Sequence, residues 1–485
     1  MNGHTIRAAV HISAIFALYL SLAMLIPAGI DLYYGNEDWK VFALSAFFQG
    51  GLAMAVAIAT QGQPPPATPR FGFLVLNLLW LTLAIGGALP LAASSINMTL
   101  AGALFESVSG ITTTGGTVIN GLDAAPPGIL LWRSILNFIG GLGVIAIGLF
   151  LLPFLNIGGI TYFRLESSDI NARPFERLAT FTINLIAIYL MLAVACTLLY
   201  AAGGMTGFDA INHSMSTLAT GGFSTHDSSF AQYANSPMIL WTGSFFMFLG
   251  GLPFSIMMLI ALRGRFESLG DPQIKVYAAY CAAFSFAATI YLIVVNREPA
   301  GYALANATFN FVSIITTTGF ASDDYTRWGP FIVSTMFVAT FLGGCSGSTS
   351  GGIKAYRFLV LFELLANGVR RLVYPNTIYP VRYGDRSVSE DMQRAVVLFV
   401  ASFFIIWACG TILMAATGLD FLTSLSGSLA CLTNVGPGLG DVIGPAGNYS
   451  KLSDPALLIL TLLMLMGRLE LLAVLVVFSP TFWRR

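Results

Sequence analysis

The chain has 485 residues, 56% of them hydrophobic and only 9% charged, and its mean hydropathy is +0.78. Soluble domains carry about a quarter of their residues as charges, so an ordinary soluble protein is excluded and a polytopic membrane protein is expected. With 23 basic and 23 acidic side chains the net charge is zero, and information on orientation lies in where the charges fall rather than in their sum.

Residues 1–63 read as an N-terminal pair of membrane helices, 14–30 and 41–59, joined by a polar turn at 31–40. The first apolar stretch, 11–30, is long for a signal peptide and lacks a cleavage motif, so it is expected to be retained. Pro64-Pro65-Pro66-Ala67-Thr68-Pro69 then breaks the helix and separates this pair from the rest of the chain.

The remainder divides into four units built to one plan, over residues 70–160, 174–266, 274–372 and 391–485. Each begins with an apolar stretch long enough to span a bilayer: 71–91, 178–201, 276–295 and 395–416. Each continues with a helix too short to span, at 101–111, 208–218, 303–315 and 420–432. A Thr/Gly segment comes next, at 112–116, 219–223, 316–320 and 433–438, and a return helix closes the unit at 132–152, 237–262, 331–365 and 455–478. The expected fold is therefore an all-α polytopic membrane protein. It has four helix, pore-helix, filter and helix repeats in a pseudo-four-fold arrangement, preceded by an N-terminal helix pair.

The Thr/Gly segments carry the functional reading. Thr113-Thr114-Gly115, Thr220-Gly221-Gly222, Thr317-Thr318-Gly319 and Asn434-Val435-Gly436 end on glycines spaced 107, 97 and 117 residues apart. Non-helical backbone at membrane depth must satisfy its polar groups inside protein or against water, so four such segments imply a ring around a pore. Short side chains and glycine let carbonyls turn inward, where they replace the hydration shell of a monovalent cation. The eight carbonyls expected to do so belong to Thr113, Thr114, Thr220, Gly221, Thr317, Thr318, Asn434 and Val435. Each short helix aims the partial negative charge of its C-terminus at the same place.

With the Thr/Gly segments placed outside, 17 of the 23 Lys and Arg residues fall on the cytoplasmic side and four in outer loops. That bias puts both termini in the cytoplasm. Glu106, Asp123, Asp209, Asp227, Asp323, Asp324, Asp420 and Asp441 are expected near the outer mouth, where they would concentrate cations. Asp209 and Asp420 read equally well as caps of the short helices. Two features stand apart. The third return helix contains Gly343-Gly344-Cys345-Ser346-Gly347-Ser348-Thr349-Ser350-Gly351-Gly352, a composition in which a helix survives poorly; below the filter it is placed to obstruct the path and reads as a gate, the alternative being a soft hinge or close helix packing on small residues. Arg468, in an apolar helix two residues before Glu470, must face a pore or a partner, as a cation-opposing residue or, equally well, as a structural partner of Glu470 or of a carbonyl-rich loop. Lys354 reads as a snorkelling side chain.

Five cysteines lie in apolar stretches without CxxC spacing and read as buried thiols. The four histidines form no HExxH motif, and no GxSxG occurs, so no enzyme is expected. His213 and His226 read as surface residues beside the mouth.

Together the four filter segments, Trp132-Arg133 with Gly140-Gly141-Leu142-Gly143, the 343–352 loop, Asn434-Val435-Gly436-Pro437-Gly438 and Arg468 resemble the TrkH branch of the Trk/Ktr/HKT superfamily of potassium transporters. The resemblance covers essentially the whole chain. It implies a homodimer in the bacterial inner membrane and potassium selectivity when all four filter glycines are present. It also implies control of the glycine-rich loop by a TrkA-like cytoplasmic nucleotide-binding subunit. No cofactor beyond the transported K+ is implied. The alternative reading is a secondary transporter, a K+/H+ or K+/Na+ symporter with alternating access.

Overall fold

A computed structural model describes residues 3–62, 68–150, 174–376 and 379–484. The proline run at 64–67 and the basic residues Arg164, Arg173 and Arg485 lie outside these.

Apolar length dictates the scaffold. Among the described residues seven helices are long and apolar enough to cross a membrane, and nine if two bent pairs each count as one span. The N-terminal pair begins earlier than its hydropathy suggested: α1 (Gly3–Ala23) runs into α2 (Leu25–Tyr34), and α3 (Trp39–Thr60) packs back along both.

The four repeats come next. The first comprises α4 (Pro69–Ala93), the short α5 (Leu100–Ile111) and α6 (Pro127–Phe150). In the second these are α7 (Pro174–Ala202), α8 (Gly207–Leu218), then α9 (Pro237–Gly250) and α10 (Phe254–Arg263). The third has α11 (Pro272–Val294), α12 (Ala300–Ile315), α13 (Pro330–Ala339) and α14 (Ala355–Val373). The fourth has α15 (Glu390–Ala416), α16 (Phe421–Leu432), α17 (Asp454–Arg468) and α18 (Leu471–Phe478). A two-residue β-hairpin, Arg382–Tyr383 with Arg386–Ser387, links the last two repeats and had no signal in the hydropathy.

Three return helices are broken, where the sequence suggested one. The second bends by 99° at Gly250-Gly251-Leu252-Pro253 and the fourth by 111° at Leu469-Glu470. Pro253 accounts for the first bend, since it has no N–H to donate and fixes its own φ. In the fourth, Glu470 sits at φ +63°, a left-handed conformation that ends a helix in any L-residue. The third return helix stops at Ala339 and resumes at Ala355, so its interruption is wider than residues 343–352.

Caps explain where the short helices begin. Thr99 and Thr206 accept the N–H groups of Gly102 and Asp209, and Asp420 accepts that of Thr423. Asp420 is therefore a cap as expected, but Asp209 is not: it lies three residues inside, its carboxylate accepting the Thr206 hydroxyl at 2.7 Å. Pro299 precedes α12 without a side-chain cap. Four of the five cysteines are buried, but Cys409 is exposed on α15, whose outer face is apolar.

Candidate ion pathway

The short helices end at Ile111, Leu218, Ile315 and Leu432, and the backbone after each folds in the same way. Thr112, Ala219, Thr316 and Thr433 donate their N–H groups to the carbonyls of Val108, Met215, Val312 and Leu429. Thr113, Thr220, Thr317 and Asn434 donate to Gly110, Thr217, Ile314 and Cys431. Thr114, Gly221, Thr318 and Val435 donate to Ser109, Ser216, Ser313 and Ala430, at 2.8–2.9 Å. The first three N–H groups after each short helix are thus turned back onto it. Among the described residues, no donor reaches the carbonyls of Thr113, Thr114, Thr220, Gly221, Thr317, Thr318, Asn434 or Val435.

The dihedral angles repeat too. Thr113, Thr220, Thr317 and Asn434 have φ of 53°, 51°, 57° and 58°, and Gly115, Gly222, Gly319 and Gly436 have 85°, 73°, 86° and 99°. A left-handed threonine costs of order 1–3 kcal/mol and persists only where its surroundings impose it. Four such residues in one register, with a left-handed glycine two positions on, define one backbone motif used four times. Asn434-Val435-Gly436 obeys it although its sequence is the weakest copy.

The glycines close the ring. A methyl group added at Gly115 would lie 2.5 Å from the Gly221 carbonyl oxygen, and at Gly222 it would lie 1.9 Å from that of Thr318. At Gly319 it would be 2.0 Å from the Val435 oxygen, and at Gly436 it would be 2.5 Å from the Thr114 oxygen, which returns to the first segment. Each segment therefore abuts the carbonyl layer of the next, in the order first, second, third, fourth, first. All twelve residues singled out in the sequence, Thr113 to Gly115, Thr220 to Gly222, Thr317 to Gly319 and Asn434 to Gly436, meet around one axis.

Behind the ring lies a set of braces that sequence reasoning missed. Glu106, fully buried, accepts the Thr117 hydroxyl and the Val118 N–H at 2.9 and 2.8 Å. His213 bonds Ser224 at 2.9 Å, and Asn310 bonds both the hydroxyl and the N–H of Ser322. These three occupy one register, three residues before Ser109, Ser216 and Ser313. A polar side chain recurring there in an apolar helix was the available signal. Gly427 stands in the fourth position; Ser426 supplies the brace instead, accepting the Leu439 N–H at 2.9 Å.

Glu106 is consequently no mouth acid. It forms a buried ion pair with Arg133 (2.7 Å; 0% and 1% exposed), and Arg133 also donates to the Ser224 carbonyl and lies over the Phe223 ring, tying the first repeat to the second. His213 is likewise buried, not a surface residue.

On the mouth side, a cavity of about 310 Å³ opens over Gly115, Gly222 and Gly319. Of the eight acids expected there, Asp227 alone lines it. His226 bridges two others: its Nδ1 is 2.5 Å from Asp123 and its Nε2 3.4 Å from Asp209. Hydrogen bonding to Asp209 raises the His226 pKa from its ordinary value, with Asp123 adding to the effect, and His226 in turn lowers that of Asp123.

On the opposite side the irregular segment 340–354 sits against the foot of the ring. Thr349 Oγ1 is 3.1 Å from Thr220 Oγ1 and donates to the Gly250 carbonyl at 3.0 Å. Gly351 N–H donates to Thr317 Oγ1 at 2.6 Å, and Gly352 N–H to the Thr433 carbonyl at 2.9 Å. Three of the four segments are touched. Below the loop a second cavity is lined by Ser346, Ser348, Lys354, Arg357, Arg468 and Glu470, among others. The ion pair considered for Arg468 is not formed: Glu470 pairs with Arg357 at 2.5 Å. Lys354 does not snorkel; its ammonium contacts the Ser350 carbonyl.

The family profile described as TrkH, cation transport protein, matches residues 42–485. The Trk system potassium uptake protein TrkI of Halomonas elongata is 40% identical over 472 residues, covering 97% of this chain and 96% of its own. TrkH of Salmonella typhimurium, also a Trk system potassium uptake protein, is 36% identical over 485 residues, 99% of each chain. The crystal structure of the potassium transporter TrkH from Vibrio parahaemolyticus superimposes with a TM-score of 0.91 at 32% identity, covering 100% of both chains.

Proposed function

Because the chain belongs to the TrkH family of cation transport proteins, we propose that it is a potassium uptake protein in which K+ crosses the membrane through the carbonyl ring. It is a membrane transporter and not an enzyme. The observation that carries the finer reading is the set of eight carbonyls left without donors around one axis. Oxygens so disposed replace water around a dehydrated monovalent cation, and a negative-inside potential drives entry with about 2.3 kcal/mol per charge per 100 mV.

The 340–354 segment is the gate in this reading. Its hydrogen bonds to Thr220, Thr317 and Thr433 hold it under the ring, and the amphipathic α14, which leaves it, ends in Arg370 and Arg371. That helix is the lever through which a TrkA-like cytoplasmic subunit would act. A homodimer in the inner membrane with both termini cytoplasmic, and the division into an N-terminal pair and four pore repeats, complete the proposal.

Sealed vesicles test it. K+ should enter under potential alone, and strict dependence on a proton or sodium gradient would favour the symport reading instead.

A further inference from the structure

The cavity beneath the loop holds more positive charge than a cation exit should. Among the described residues, Arg468, Lys354 and Arg357 line it with Glu470 as the single carboxylate, a net charge of +2 from these four. Glu470 is committed to Arg357, whose guanidinium also lies over the Phe399 ring at 3.6 Å. Arg468 is 7% exposed, and among the described residues its Nε and both Nη atoms have no hydrogen-bond partner. Buried charges are ordinarily paired.

Two helix N-termini converge on the same space. α14 begins after Lys354 and α18 after Glu470, both residues line the cavity, and neither helix has a side-chain cap. The Ala355 N–H is taken by the Gly344 carbonyl and those of Arg357 and Ala473 by Lys354 and Glu470, but the positive ends of both helix dipoles still favour an anion there. Independently, Arg468 presents an unpartnered guanidinium to the same volume.

We propose that this cavity binds one small inorganic anion of chloride size, held between the Arg468 guanidinium and the Lys354 ammonium. Its volume of about 70 Å³ leaves room for a small hydrated anion, and two cationic side chains with one competing carboxylate suit a monovalent one. The bound anion lowers the charge below the gate and eases the exit of K+. That consequence, unlike the binding itself, rests on the pathway reading above.

The test therefore reads binding without flux. In crystals of the full-length protein soaked in bromide, an anomalous peak is expected between Arg468 and Lys354, absent in Arg468→Gln and in Lys354→Gln and retained in Arg468→Lys. No peak in the wild-type protein overturns the proposal. So does a peak that survives in either glutamine variant, and Lys354→Gln keeps the test open if Arg468→Gln does not fold. In proteoliposomes, chloride on the cytoplasmic face should raise K+ flux at least about two-fold over gluconate, as expected of neutralising one charge near the path. A bromide peak without that rise leaves the site standing and overturns its role in transport, whereas loss of all K+ flux in both salts counts against the pathway.

Discussion

The hydroxyls of Thr220 and Thr349, 129 residues apart, meet at 3.1 Å, so the foot of the second filter segment and the intramembrane loop form one hydrogen-bonded unit. Thr349 also donates to the Gly250 carbonyl, at the bend of the second return helix. Thr349→Val keeps the shape and removes both bonds. At about 0.5–1.5 kcal/mol each, their loss should raise basal K+ or Rb+ uptake by roughly 5- to 150-fold from a mostly closed state. Radioactive rubidium uptake checks this; an unchanged rate in correctly inserted protein would count against a gate at this position.

The glycine ring predicts an order of damage. Alanine at Gly222 or Gly319 places a methyl 1.9–2.0 Å from a neighbouring carbonyl, against 2.5 Å at Gly115 or Gly436. Gly222→Ala and Gly319→Ala should abolish K+ flux, and Gly115→Ser should pass measurable Na+ or lose flux less completely. Equal, near-normal selectivity in all of them, read from K+ and Na+ uptake, would remove the ring from the pathway.

Glu106 and Arg133 predict stability. Removing one partner of a fully buried ion pair leaves an uncompensated charge and costs about 3–5 kcal/mol. Glu106→Gln should therefore lower the thermal unfolding midpoint in detergent markedly, and adding Arg133→Met should recover part of the loss. Additive destabilisation would show that the pair is not coupled.

His226 predicts a pH dependence. Its folded pKa is raised above the ordinary 6.5, so the stability it contributes is fully present below that value and is lost as pH rises through the folded pKa. The protonated ring joins Asp123 of the first repeat to Asp209 of the second. The wild-type advantage in unfolding midpoint over His226→Gln should shrink as pH rises from about 6 to about 9. A constant difference across that range would assign His226 a neutral role.

Much of this architecture was legible in the sequence because the bilayer imposes apolar length and the filter imposes Thr/Gly spacing. The register of Asn434-Val435-Gly436 could be placed from its glycine alone. The breaks at Gly250-Gly251-Leu252-Pro253 and at Glu470 were not foreseen, although Pro253 was a visible signal. Glu470 was not visible: nothing local forces a glutamate to φ +63°, and there it pairs with Arg357, 113 residues away. Glu106 and His213 were misjudged for the same reason. Their partners, Arg133 and Ser224, lie on other elements, and a polar residue in a short helix does not announce whether it faces a mouth or a brace.

Four backbone segments are held here to seat a dehydrated cation on one axis, and crystals grown with Rb+ or Tl+ in place of K+ measure this directly, through anomalous density. Peaks are expected on the axis between the carbonyls of Thr113, Thr220, Thr317 and Asn434 and those of Thr114, Gly221, Thr318 and Val435. Density confined to other sites, with the axis between these eight oxygens empty under conditions that support uptake, would contradict that central claim.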